Sequence, residues 1–180
     1  MDTLVGLDFL PLSSFSPRTV YDIITDSYSL YPTLSASIDK RSNLDEHIYS
    51  SGLSNIQGFI AAFRSEPVGV VLWETNEENN KARLIEYSIR SSYQKKGYGT
   101  IMLGEAVNRI ASLGIASIEA RVYQRLGAAS RLLDRHNFSF VSISRDSDLS
   151  LGLGALVNYL HIIGKKLPRP KKQRKKWKML

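Results

Sequence analysis

A chain of 180 residues with 43% hydrophobic and 9% aromatic side chains has the apolar material for one core, which excludes global disorder. It has no cysteine, so disulfides, thiolate metal ligands and a cysteine nucleophile are excluded, and any chemistry must use oxygen or nitrogen groups. The net charge of +7 belongs to one end: positions 165–180 hold nine cations and no acid, which leaves the first 164 residues at −2.

At the amino terminus Asp2 stands where a secretory leader would carry Lys or Arg, and Pro11 interrupts the apolar segment that follows, so a cytoplasmic address is expected. A short strand is predicted near 4–10. Ser16-Pro17 reads as an N-cap and first helical position, and Val20, Ile23 and Ile24 recur at helical spacing, which predicts a helix over 17–28. Ser42 with Asp45 resembles a capping box for a second, short helix carrying Leu44 and Ile48. Ile56 to Phe63 and Val68 to Trp73 are apolar runs joined at Ser65-Glu66-Pro67, where proline suits a turn, and they predict a hairpin.

After the polar loop 76–81, Ile85, Tyr87 and Ile89 alternate with Glu86, Ser88 and Arg90, predicting a strand over 83–90 with two distinct faces. From Gly99 onward Leu103, Ala106, Val107 and Ile110 recur as on a helix, which Gly114 can end in the left-handed conformation. Ile118, Ala120 and Val122 alternate with Glu119, Arg121 and Tyr123 in a further strand. Ala129, Leu132 and Leu133 mark a helix ending near Asn137, and 139–144 and 156–163 are two closing strands. The longest apolar stretch, Leu149 to Gly164, is interrupted by Asn158 and His161 and falls short of the roughly 18 residues a spanning helix needs. The sum is an α+β fold, a sheet with helices packed on it, over 1–164, followed by a flexible basic tail over 165–180.

Between the strand ending at Arg90 and the helix from Gly99 lies the run Gln94-Lys95-Lys96-Gly97-Tyr98-Gly99-Thr100. Glycines let backbone approach a ligand closely, and the free amides and dipole of a helix N-terminus favour an anion. Lys95 and Lys96 add charge of the right sign. The run lacks the glycine spacing and Gly-Lys-Ser/Thr ending of a Walker loop, and the three glycines of a dinucleotide fingerprint.

Its form, Gln94-x-x-Gly97-x-Gly99, resembles the pyrophosphate-binding signature of the Gcn5-related N-acetyltransferases (GNAT), Gln/Arg-x-x-Gly-x-Gly/Ala. The order of elements around it is similar to that family's across about residues 3–163. The resemblance implies a mixed, mostly antiparallel central sheet with flanking helices, splayed between its two central strands. It also implies transfer of an acetyl group from acetyl-CoA, as cosubstrate, to a primary amine. In such a protein the amides of Gln94, Lys95, Lys96, Gly97, Tyr98, Gly99 and Thr100 hold the pyrophosphate. The backbone of Tyr87, Ser88 and Ile89 bonds the pantetheine arm.

An alkyl amine with a pKa near 10 is neutral in only about one part in a thousand at pH 7, so a base or a water chain must take its proton. Glu86 and Glu119, on the polar faces of the two strands expected to splay, occupy places where family members keep acids. Each also reads as a solvated strand carboxylate, paired with Arg90 or Arg121. The family's usual acid for the departing thiolate is a tyrosine, but its place is taken by Leu133, and the asparagine common at the start of that helix by Leu126. Tyr123, on the strand face of Glu119, is the replacement candidate, against a packing role.

His47, His136 and His161 have no metal-ligand spacing, so no metal site is expected, and no Gly-x-Ser-x-Gly elbow supports a hydrolase. Tyr21, Tyr28, Tyr31 and Trp73 could line an acceptor pocket, with core packing the simpler role. The Lys165 to Lys178 tail suits a polyanion such as RNA, DNA or the ribosome, or an anionic membrane surface, with Trp177 available to stack. The expected function is N-acetylation of an amine on a macromolecule, such as a protein N-terminus, a lysine or an aminoacyl-RNA, with small-molecule amines including polyamines or aminoglycosides left open. The alternative is a catalytically silent fold of this family that binds acyl-CoA and nucleic acid.

Overall fold

The computed structural model describes residues 6–29, 56–123, 126–144 and 155–164. Their order is β1 (Asp8–Pro11), α1 (Pro17–Tyr28), β2 (Ile56–Phe63), β3 (Glu66–Asn76), β4 (Lys81–Ile89), α2 (Tyr98–Ser112), β5 (Ser117–Tyr123), α3 (Gly127–Arg135), β6 (Ser139–Ser144) and β7 (Leu156–Ile162). The strands form one sheet in the order β1-β2-β3-β4-β5-β7-β6. Only the central pair β4 and β5 is parallel, joined by the crossover helix α2, as a parallel pair requires. The predicted mixed, mostly antiparallel α+β sheet is the observed one.

Local signals set the helices. Ser16 Oγ accepts from Thr19 N at 3.3 Å, Pro17 opens α1, and Val20, Ile23 and Ile24 are buried against Ile60, Val70 and Leu72 on one face of the sheet. On the other face, Met102, Leu103, Ala106 and Ile110 of α2 join Phe59, Val71, Trp73, Ala82 and Ile118. Full burial of each large aliphatic side chain contributes about 1.5–3 kcal/mol. Gly114 and Asn137 end their helices with φ of 79° and 60°, as expected.

Four expectations are corrected. The first strand begins at Asp8 and includes Pro11, which an edge strand tolerates. The β2–β3 turn is Arg64-Ser65, with φ of 52° and 67°, and Pro67 lies inside β3 beside a register shift at Ala61/Ala62, where a missing donor is harmless. Ile85 does not share a face with Tyr87 and Ile89. The pairing steps from Trp73↔Leu84 to Leu72↔Glu86, so Ile85 is an extra residue in β4. It is 38% exposed, while Ala82, Leu84, Tyr87 and Ile89 all join the core under α2. Lastly, β3 extends beyond the predicted run to Asn76. The capping box at Ser42, the short helix with Leu44 and Ile48, and the basic tail lie outside the described residues.

Candidate active site

The ladder between β4 and β5 covers Lys81↔Ser117, Ala82↔Ile118 and Arg83↔Glu119. Past that vertex β4 runs on to Ile89 bonded only on its β3 side, and β5 runs on to Tyr123 bonded on its β7 side. Each wall of the gap is thus held by its outer neighbour. The extra residue Ile85 lies two positions past the vertex residue Arg83, so β4 is bulged, and by that bulge bent and more twisted, where its pairing with β5 has stopped. The inner edges offer ladder groups to an extended ligand carrying amides of its own.

At the open end of the gap, the chain passes from β4 into α2. Gln94 is extended, Lys95 has φ 61° and Gly97, the N-cap of α2, has φ 88°. Left-handed residues at Lys95 and Gly97 turn the loop sharply into a helix N-terminus, a geometry that suits an anion. No side chain caps α2 at Gly97, and Lys95, Lys96, Gly97 and Thr100 are exposed. The residues present fit a diphosphate.

The two glycines serve different ends. Around Gly97 a Cβ would meet nothing within 4 Å, so its need is the positive φ. A Cβ on Gly99 would lie 3.3 Å from Tyr87 Oη and 3.4 Å from Ile89 Cδ1, so its need is close packing of α2 on β4. Tyr87 donates its phenol proton to the Gly99 carbonyl, and burial pushes the phenol far above the usual tyrosine range. It is a neutral clamp. Tyr98 is buried among Phe63 and Tyr93, with ring centroids at 5.7 and 6.0 Å, and Lys96 Nζ lies 5.2 Å over the Tyr93 ring. The side chain of Gln94 turns inward, donating to the carbonyls of Ser27 at 3.2 Å and Ile89 at 3.0 Å. Asp26 accepts from Ser91 N at 2.6 Å. The loop is therefore held from beneath by the C-terminus of α1.

The half-buried Glu86 sits on the β4 wall, on the α1 side of the sheet. Its Oε1 accepts from Ser88 Oγ at 2.6 Å, Tyr87 N at 3.0 Å and Tyr28 Oη at 3.2 Å. Arg90 is not its partner, because Arg90 Nε donates to the Pro67 carbonyl at 2.8 Å. Glu119 sits at the vertex, paired with Lys81 Nζ at 3.0 Å and not with Arg121. Tyr123 ends β5 on the face of Glu119 and Arg121, opposite Ile118 and Ala120, which belong to the core under α2. Leu133 is 5% exposed in that core, so no hydroxyl stands at its place, and Leu126 precedes α3 without a side-chain cap.

Trp73, 3% exposed, is a core residue on the α2 face with its ring 6.1 Å from Phe59. Tyr21 and Tyr28 of α1 pack against the core beneath that helix, and Tyr28 is the one among the described aromatics of this set that reaches a candidate catalytic group. Tyr31 lies outside the described residues. Sequence reasoning missed the anchors Asp26 and Ser91, and it named Tyr28 without its bond to Glu86. The available signal was Asp26 itself, an acid in the last turn of a helix, where the dipole disfavours it unless something else holds it.

A model of the Acetyltransferase (GNAT) family matches residues 18–138, about two thirds of the chain. A search of curated proteins finds no match. Among solved structures, the Bacillus subtilis acetyltransferase in complex with CoA aligns with a TM-score of 0.70 at 15% identity, covering 88% of this chain and 99% of that one. PaiA N-acetyltransferase from Thermoplasma acidophilum in complex with coenzyme A aligns with a TM-score of 0.66 at 17% identity, covering 86% and 98%. A GNAT family acetyltransferase from Elizabethkingia anophelis with acetyl-CoA bound aligns with a TM-score of 0.68 at 10% identity, covering 88% and 99%. At these identities the likeness establishes a shared fold. With the family match spanning α1, the bulged strand, the glycine loop and α3, the chain belongs to the GNAT acetyltransferase family.

Proposed function

We propose that this chain is an acetyl-CoA-dependent N-acetyltransferase whose acceptor is a primary amine on a macromolecule: a protein N-terminus, a lysine or an aminoacyl-RNA. One observation carries the reading. An uncapped helix N-terminus at Gly97, a gap between β4 and β5, and a carboxylate fixed on the gap's wall occur together. The loop Gln94 to Thr100 would hold the diphosphate, Lys95 and Lys96 adding charge, and backbone groups of Tyr87, Ser88 and Ile89 the pantetheine arm. When bound, acetyl-CoA supplies the activated acyl group and a thiolate leaving group.

The chain's own residues then have one task, moving protons. Glu86, directly or through a water, would take the ammonium proton, so that nitrogen can bond to the carbonyl carbon as the carbon–sulfur bond breaks. Glu119 is the second carboxylate in reach of this role, but its charge is committed to Lys81. Tyr123 is the candidate donor to the thiolate. Without it, water does this and catalysis rests on positioning.

The test is thiol release with a panel of amines, alongside calorimetry with acetyl-CoA. Glu86→Gln is expected to lower kcat by about 100-fold with acetyl-CoA affinity retained. The buried Leu133, where a tyrosine is usual, favours a second reading, a silent acyl-CoA and nucleic-acid binding module. Tight acetyl-CoA binding with no turnover of any amine class would decide for it. The tail would add affinity for RNA or the ribosome. Removal of 165–180 is expected to lower RNA affinity and flatten its salt dependence, whose slope counts the phosphates neutralised.

A further inference from the structure

Over the paired ends of β4 and β5, at the closed end of the gap, lies a polar recess of about 230 Å³, lined by Glu74, Asn76, Lys81, Arg83, Glu119 and Arg121 among others. We infer that the acceptor amine carries an anionic group, a carboxylate or a phosphate, which docks on Arg121 in this recess. The inference rests on the acetyltransferase reading and names its substrate class.

Charge bookkeeping decides the sign. Both acids of the recess are neutralised: Glu74 by Arg83 at 2.6 Å and Glu119 by Lys81 at 3.0 Å. Arg121 is the cation left over, with no carboxylate in ion-pair range among the described residues. A guanidinium presents paired donors that match a carboxylate or phosphate in two parallel bonds, and it cannot lose its charge. A cationic acceptor such as a polyamine or a basic peptide would meet net repulsion here.

Placement agrees with the chemistry. Strand parity sets Arg121 on the face of Glu119 and Tyr123, away from the α2 core, and Glu86 lies on the same side, bonded to Tyr28 of α1. The helix N-terminus at Gly97 is at the open end of the gap, and the recess is at the closed end next to the vertex Arg83↔Glu119. An acceptor anchored at Arg121 extends from the recess along the gap toward Glu86. Liquid water takes about 30 Å³ per molecule, so the recess has room for an anionic group and a few carbons, while the rest of a larger acceptor stays outside.

The experiment uses the full chain and two matched probe pairs, O-phosphoethanolamine with ethanolamine and glycyl-alanine with glycyl-alaninamide. Calorimetry with acetyl-CoA comes first. Thiol release and the NMR shift of the Arg121 guanidinium in CoA-loaded protein are then read for each probe. At least one anionic probe is expected to exceed its partner lacking the anionic group in kcat/KM, or in affinity where no turnover occurs, by about tenfold. Arg121→Gln should erase that preference through KM with kcat kept, and Arg121→Lys should restore part of it. Equal performance within both pairs, or no guanidinium shift with either anion, overturns the inference while leaving acetyl transfer intact. Failure to bind acetyl-CoA at all overturns the acetyltransferase reading beneath it.

Discussion

Gly97 shows how one backbone angle can carry a function. At φ 88° it occupies a region that costs an L-residue about 1–2 kcal/mol, and a Cβ there would touch nothing within 4 Å, so the whole cost is conformational. Gly97→Ala is therefore expected to lose about 1 kcal/mol in urea unfolding and to weaken acetyl-CoA binding by more than that, because relaxing φ changes the turn into the helix N-terminus. Acetyl-CoA binding by Gly97→Ala at the wild-type constant would show that the diphosphate sits elsewhere. Gly99→Ala should instead lower stability by crowding Tyr87 Oη and Ile89. The spacing of the two glycines was legible in the sequence. Their division of labour was not, since it depends on Tyr87, a neighbour in space but twelve positions away in the chain.

At the scale of elements, legibility followed the strength of local signals. Ser16-Pro17 fixed α1 to the residue, and Gly114 and Asn137 fixed two helix ends, because caps and left-handed stops act within a few positions. The bulge was hidden. Ala82 and Leu84 face the α2 core, as do Tyr87 and Ile89, and the parity break between them is masked by an apolar Ile85 that continues the alternation. The splay was expected from family resemblance, and the bulge beside it came only with the register. The clamp of α1 on the glycine loop was equally illegible, since it joins Asp26 to Ser91 across 65 positions. That clamp makes a prediction. Asp26 stands where the helix dipole opposes a carboxylate, so Asp26→Ala relieves α1 by a few tenths of a kcal/mol while releasing the start of the loop. Its thermal midpoint should stay near wild type while KM for acetyl-CoA rises several-fold. A large fall in midpoint with unchanged KM would make Asp26 a stability residue only.

For the whole molecule, the coupling of fold and cradle to pH runs through His136. It caps the end of α3, its Nε2 is buried without a partner among the described residues, and its Cε1 lies where a Cβ on Gly104 of α2 would be 3.5 Å away. Burial lowers its pKa below 6.5, nearby His161 lowers it further, and a hydrogen bond with the Thr100 backbone in the first turn of α2 opposes them. The folded state thus favours the neutral ring more than the unfolded chain does. The unfolded chain, with an ordinary histidine pKa near 6.5, binds a proton more readily than the native state, so the contribution is complete above that pH and is lost as pH falls through 6.5 toward the folded value. The urea midpoint should fall between about pH 7.5 and 5.5, where ordinary carboxylates remain ionised, and His136→Gln should flatten the slope across that window. Because the ring packs against Gly104 of α2, acetyl-CoA affinity is expected to change over the same range and to lose that pH dependence in His136→Gln. Identical slopes in wild type and variant would exclude His136 as the titrating group.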